Sequence, residues 1–443
     1  MNGATARRGL LIALPVAAAV GIALAVPGVV ARSGVEAALA DTSVISSNID
    51  FFSRRFAEDP WSYLVGGRLV GALMLRFRNS ANLADVVEAE RVARAVVRAA
   101  PDRAGALARV SAVVLAQHKF GEAYSIALEA VQINPSDDAV QGTLFDAAMA
   151  AGRYALAEST LAHLSSSTLE GQLRRAHWFN ATGHQEAALS SMDRACWQIE
   201  QTGLRPQVIA WCLTELAKMR LGKSGARGAR PQFERALALQ PGYRGAVEGL
   251  ADLAHAKRDW KLARRLYASI AADAHPDLYL RLAETAIGLG DSEAARRYEA
   301  MFLRVATVPD AEALYAHPLA LYYASRPETR YLALAVSLRD IARRPTVESY
   351  DVLSWVHFAR GEYDDALTAS TRARGWGAPS ATMDFHRAQI LLALGKEAEA
   401  RALEGPVLAR PETLEPQARG ELWRTAQSSR VAIGAARSVQ FAN

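Results

Sequence analysis

"AKMRLGKS", residues 217–224, is the stretch whose residue types come nearest to a recognisable chemistry. With Ala admitted for its first Gly it fits the phosphate-loop pattern. Gly222, Lys223 and Ser224 then stand where a nucleotide's phosphates and metal would be held. Such a loop needs a buried strand before it and a helix whose N-terminal amides face the phosphates. Here Ile209, Leu213, Leu216 and Met219 recur at helical spacing ahead of it, and Met219 and Leu221 crowd what should be a tight cradle. No apolar run ending in Asp follows to hold magnesium. The stretch "GKSGARGARP" reads instead as a glycine-rich turn between two helices, and no nucleotide is expected.

The other chemistry-bearing residues are equally dispersed. None of the nine histidines falls in an HExxH pattern, and no Cys pair has zinc spacing. His177 and His184 would share a face only if one helix ran through Gly183. Asp364-Asp365 lies beside a turn, where acidic groups complement a helix N-terminus. A Gly-x-Ser-x-Gly elbow is missing, so hydrolase chemistry has no starting point. The expectation is a chain without catalytic, cofactor or metal residues.

What remains is architecture. Hydrophobic residues make up 51% of the 443 and charged residues 22%, enough for a continuous core. Ala and Leu dominate the apolar set and β-branched runs are sparse after residue 50, which favours helix throughout. The net charge of +5 is carried almost entirely by Arg, spread thinly and interleaved with acids, so no nucleic-acid footprint forms.

Arg7 and Arg8 precede a charge-free run of 23 residues, 9–31, long enough to cross a bilayer core of about 30 Å. Residues 1–31 read as a signal anchor, or as a signal peptide cleaved near Ala31; either way residues 32–443 are expected on the extracytoplasmic side. In that oxidising setting Cys196 and Cys212, 16 apart around "TGLRP", are either a disulfide or two buried thiols.

A small residue recurs behind an aromatic through most of the chain. Phe120/Ala123/Ala130, Tyr154/Ala157, Ala188/Ala195, Phe233/Ala236, Trp260/Ala263, Ala295, Tyr363/Ala366/Ala373 and Ala400 mark successive units, several 34 residues apart. Ala229 and Ala333 extend the series. This resembles the tetratricopeptide repeat (TPR) family, through Leu107, Phe120, Ala123, Ala130 and Pro135 in one unit and Tyr350, Leu353, Gly361, Tyr363, Ala366 and Ala373 in another. The resemblance covers roughly residues 59–410 and implies an all-α fold, an α-α superhelical solenoid of about ten TPR-like helix pairs, led by an N-terminal hydrophobic helix. Spacing slips to 31, 41, 32 and 38 in the middle of the array. Ile45, Ile49, Phe52 and Phe56 give residues 32–58 a linker and an amphipathic capping helix, and residues 411–443 read as a C-terminal capping helix and tail.

The resemblance also implies where partners bind, because the inner surface of such arrays comes from the first helix of each unit. Carried over, its groove candidates are Glu248, Asp252 and His255, then Asp277 and Glu284, and Asp351, Trp355 and Phe358 further on. The first two groups suit a basic peptide and the last an apolar anchor. The function expected is a non-enzymatic scaffold binding proteins or peptides, serving envelope, secretion or polysaccharide assembly by analogy of fold. The competing reading is an enzyme or saccharide-binding protein. Its pocket would lie in 296–345, where Tyr315, His317, Tyr322, Tyr323 and Tyr331 gather.

Overall fold

The computed structural model describes residues 35–80, 82–201, 206–271, 276–308 and 311–424. The expected hydrophobic helix of 1–31 and the tail beyond 424 lie outside these. No helix among the described residues is long and apolar enough to cross a membrane. Among the described residues there are helices and turns but no strand.

An N-terminal helix, α1 (Val35–Glu58), precedes ten antiparallel pairs. The first four are α2 (Tyr63–Ser80) with α3 (Leu83–Ala99), α4 (Ala104–Ala116) with α5 (Phe120–Ile133), α6 (Asp138–Ala150) with α7 (Tyr154–His163), and α8 (Leu169–Ala181) with α9 (Gln185–Gln201). The bent α10 (Pro206–Leu239) supplies both arms of the fifth. Then come α11 (Arg244–Ala256) with α12 (Trp260–Ser269), α13 (Asp277–Gly288) with α14 (Ser292–Ala306), and α15 (Glu312–Ala324) with α16 (Arg330–Arg343). The last two are α17 (Val347–Arg360) with α18 (Tyr363–Ala373), and α19 (Ala381–Ala393) with α20 (Glu397–Ala409). Beyond a 3₁₀ turn, Pro411–Thr413, the chain is helical again over 416–424.

The recurring alanines sit where paired helices cross. Of the thirteen in the series from Ala123 to Ala400, none is more than 4% exposed. A larger side chain there would hold the two backbones apart. Ile45, Ile49 and Phe56 of α1 are buried against the first pair, with Phe52 partly so.

One turn chemistry joins the arms of seven pairs. His118, Gly152, Gly183, Arg258, Gly290, Gly361 and Gly395 all have left-handed backbones. In each case the next amide donates back across the turn, as Glu362 N does to His357 O at 3.0 Å and Lys119 N to Val114 O at 3.1 Å. His184 follows such a turn, so the helix that would have joined it to His177 ends first.

The "GKSGARGARP" stretch departs from the expected loop. Helix runs on through Ser224 and breaks at Gly225 alone (φ 65°, ψ −160°), where a Cβ would lie 2.6 Å from Glu412 Oε1. The freed backbone groups find distant partners. Arg410 Nη1 donates to Gly222 O and Lys223 O, both at 3.1 Å, and Ala226 N donates to Glu412 Oε1 at 3.4 Å. Lys223 is paired with Glu186. Helix through Gly222–Ser224 leaves no cradle for a phosphate.

That contact belongs to a seam. His118 Nδ1 donates to Ala313 O at 3.1 Å, 195 residues away, and the Arg344 guanidinium lies over the Phe120 ring. Val347 N donates to the Tyr154 hydroxyl at 3.0 Å, and Tyr154 stacks on Trp376 with 3.7 Å between centroids. Ala378 N donates to Ala181 O at 2.8 Å. Successive turns inside pairs two to five therefore meet the ends of pairs seven to ten, in register. The superhelix closes on itself, with turn n set against the connection between pairs n+5 and n+6.

Two glycine substitutions separate backbone strain from packing. Nothing lies within 4 Å of a Cβ on either Gly361 (φ 82°) or Gly121, which is inside α5. Gly361→Ala is expected to lose about 1–2 kcal/mol from the left-handed backbone alone. Gly121→Ala should gain up to about 1 kcal/mol of helix propensity. Urea unfolding midpoints shifted in opposite directions would confirm both.

Candidate binding site on the inner face

The first helices of neighbouring pairs pack on one another, and many of their side chains are buried. Several charged side chains there are paired across neighbouring repeats. Arg174 of α8 donates Nη2 to Asp146 Oδ2 of α6 at 2.7 Å and Nε to Gly142 O at 3.1 Å, both side chains being buried. Arg281 of α13 donates Nη1 to both oxygens of Asp252 on α11, at 2.7 and 2.6 Å, and lies 3.2 Å from Glu248. His386 of α19 donates Nδ1 to Asp351 Oδ2 of α17 at 2.9 Å. Each rung joins one inner helix to the next.

Burial pushes the Asp146 carboxyl up, more than Arg174 beside it pulls it down. Burial acts the same way on Asp252, but there the Arg281 and Arg419 charges and the Tyr267 hydroxyl win, and its pKa falls below the ordinary value. Glu248 stays raised by its burial.

A Ser–His–Asp cluster occurs at His317, Asp340 and Ser349, but it is not a catalytic arrangement. One ring nitrogen, His317 Nε2, meets both Asp340 Oδ2 (2.8 Å) and Ser349 Oγ (3.1 Å). Ser349 Oγ itself donates to Asp340 at 2.7 Å, so its proton is already committed. Thr346 caps α17 through the Ser349 amide. The cluster ties α15, α16 and α17 together.

The chain's own C-terminal segment lies on five of the eight sequence-predicted groove residues, Asp252, His255, Glu284, Trp355 and Phe358. None of the eight is exposed. Arg419 is buried and donates Nη1 to Asp252 O at 3.0 Å and to His255 Nδ1 at 3.1 Å, Nη2 to Leu414 O and Nε to Pro411 O. Trp423 stacks on His255 (5.4 Å) and meets Trp260 edge-on (5.3 Å), with the Arg258 guanidinium over its other surface. Arg424 pairs with Glu284 at 3.3 Å. Leu414, Ala418 and Leu422, four residues apart, pack on Trp355, Phe385 and Phe358. Asp277 lies near Tyr315 rather than the segment. Residues 414–424 are thus more than an end cap, because they cross from pair six to pair ten inside the array.

The aromatic residues of 296–345 do not form a common pocket. Tyr315 is buried in the core, where α15 bends ahead of Pro318. The Arg326 guanidinium lies 3.7 Å from the Tyr322 centroid and covers that ring, while Tyr331 is 65% exposed on α16. The bend separates Tyr315 from Tyr322 and Tyr323, whose rings meet edge-on with 5.9 Å between centroids.

Cys196 of α9 and Cys212 of α10 are disulfide-bonded, with Cα atoms 5.5 Å apart. Sequence reasoning missed the Asp146–Arg174 rung and the seam. The trace of the rung was the lone charge of Asp146 within the apolar stretch "VQGTLFDAAMA".

Residues 114–175 match the tetratricopeptide repeat family. The chain is an array of helix pairs whose residues 114–175 carry the tetratricopeptide pattern. Among solved structures it is similar to the Pseudomonas aeruginosa PilF protein (17% identity, 48% of this chain and 96% of that one, TM-score 0.37). It is similar to the human IFIT1 dimer with PPP-AAAA (15%, 74% and 93%, TM-score 0.43) and to yeast Tom70 (13%, 90% and 96%, TM-score 0.34). Among curated proteins none matches the sequence.

The Asp146–Arg174 rung of this repeat array has a measurable signature. Arg174→Ala should cost about 3–5 kcal/mol by stranding a buried carboxylate, whereas Asp146→Leu with Arg174→Met should cost far less. Equilibrium unfolding of both variants distinguishes a pairing effect from a packing one.

Acid should weaken the fold at His255 and His118. Burial, then the nearby Arg419 and Arg344 charges respectively, holds each imidazole down to about 3. Unfolded histidine titrates near about 6.5. Below that pH the unfolded chain takes up protons that the folded chain refuses, so their contribution is intact above about pH 6.5 and falls toward pH 3. Asp340, held low, loses its contribution only below about pH 4. Unfolding free energies measured from pH 7 to 4.5 should decline, and His118→Gln with His255→Gln should flatten that decline.

Proposed function

We propose that this chain is a non-enzymatic scaffold that binds partner proteins on the inner face of its helical array and is held at the outer side of a membrane by residues 1–31. The observation that carries the binding reading is the seated segment 414–424. The face accepts a helix bearing two arginines and a tryptophan, using acidic, aromatic and apolar groups at three separate places. Tetratricopeptide-type arrays generally mediate protein–protein contacts, and an elongated helical surface is suited to that use. Its ionisable groups are engaged with one another rather than converging on a reacting atom. The membrane reading is supported by the charge-free run of 23 residues behind an Arg pair. The envelope, secretion or polysaccharide role remains an inference from fold alone.

Proximity labelling from a C-terminal tag, with membrane and soluble fractions separated, tests both halves. The expected outcome is a membrane-bound chain that labels a small, reproducible set of extracytoplasmic proteins. Recovery in the cytosolic fraction would overturn the location, and labelling no greater than that of an untethered tag would overturn the scaffold reading.

A further inference from the structure

The seated segment is an answer to the question of which partner chemistry fits. We propose that residues 414–424 are a self-ligand, and that the site beneath them takes a helical segment of another protein with the same chemistry. That chemistry is an arginine within an apolar stripe, followed by an aromatic residue and a second cation. The proposal rests on the scaffold reading and names the partner class of that site.

Three features set this segment apart from an eleventh layer of the solenoid. It lies on the first helices of pairs six, seven, nine and ten, rather than only on the last pair as a terminal cap would. Its recognition is complementary by type. Arg419 donates to the Asp252 backbone carbonyl and to His255 Nδ1, Arg424 meets the Glu284 carboxylate, and Trp423 enters an aromatic slot of His255 and Trp260. The approach is also close: a Cβ on Gly420 would fall 2.5 Å from Glu284 Oε2. The connection to the array is the short turn Pro411–Thr413, with Arg410 and Glu412 holding the α10 bend on its far side. The segment can leave the groove without undoing a helix pair.

A tether has a quantitative consequence. At an effective concentration of about 1 mM, a tethered segment competing for a site that takes free peptide at about 10 µM lowers the apparent affinity roughly hundredfold. The probe is a fluorescent peptide of sequence PETLEPQARGELWR, residues 411–424, titrated by anisotropy against the full chain. Three versions are compared: wild type, Gly420→Leu, which evicts the segment sterically and leaves the groove intact, and Arg419→Ala with Trp423→Ala, which removes its anchors.

Both released variants should bind the peptide at least tenfold more tightly than wild type. Adding Glu284→Gln and His255→Phe to either should abolish that gain. Helical circular dichroism is recorded throughout. Released variants that keep their helical signal yet bind no better than wild type would overturn the proposal. So would collapse of the helical signal in both, since a displaceable ligand cannot be essential to the fold. A wild-type chain that exchanges the segment into dimers would overturn it in favour of a second copy as occupant. Failure of this inference leaves proximity labelling by the wild-type chain intact, whereas failure of the scaffold reading removes that labelling.

Discussion

The seam between distant turns is the constraint on which the rest of the structure depends. In an open solenoid each repeat touches only its neighbours, and stability is close to a sum of local terms. Here His118 reaches Ala313, Tyr154 reaches Val347 and Trp376, Ala181 reaches Ala378, and Gly222 reaches Arg410. Each bond is ordinary, of the order of 1 kcal/mol net. Their effect comes from number and register, because a pair that shifts must break contact with units five and six places away. The seam also satisfies backbone groups that helix ends leave without partners, which is why Gly225 can turn the chain with no loop.

Closure then dictates what the inner face can be. Carboxylates facing a narrow interior lose hydration, so they persist only when paired. Asp146 with Arg174, Glu248 and Asp252 with Arg281, and Asp351 with His386 satisfy that condition, each linking one inner helix to the next. None of these carboxylates is exposed. The same carboxylates bridge neighbouring inner helices, and where the segment 414–424 arrives Asp252 meets a further cation in Arg419.

Much of the fold was legible in the sequence because helix packing leaves a local trace. An alanine at a crossing must be small whatever the rest of the chain does, so Ala123, Ala157, Ala263 and Ala366 marked their pairs correctly. The positions around Asp252 and Trp355 came from the family resemblance, and both lie on the first helix of their pair. The helix ahead of the phosphate-like stretch was legible in its spacing, but the form of the stretch was not, because the end of that helix is set by Arg410 and Glu412. Those residues lie nearly two hundred positions downstream, and no window around Gly225 contains them. The tyrosines of 296–345 were less legible because the bend at Tyr315 sets that ring in the core, away from the Tyr322–Tyr323 contact.

Seam and site meet at one short stretch. Arg410 and Glu412 close the seam on α10, and two residues later Leu414 begins the segment that lies on the inner face. Only Thr413 separates the two sets of contacts, and the Arg410 bonds are made to backbone carbonyls. Arg419 also donates to the Pro411 and Leu414 carbonyls, however, which stiffens the turn while the segment is seated. Release would free that turn and weaken the last seam contact without touching those at His118 and Tyr154. Coupling between the groove and the array is thus graded along the seam, strongest at the α10 bend and absent at its N-terminal end.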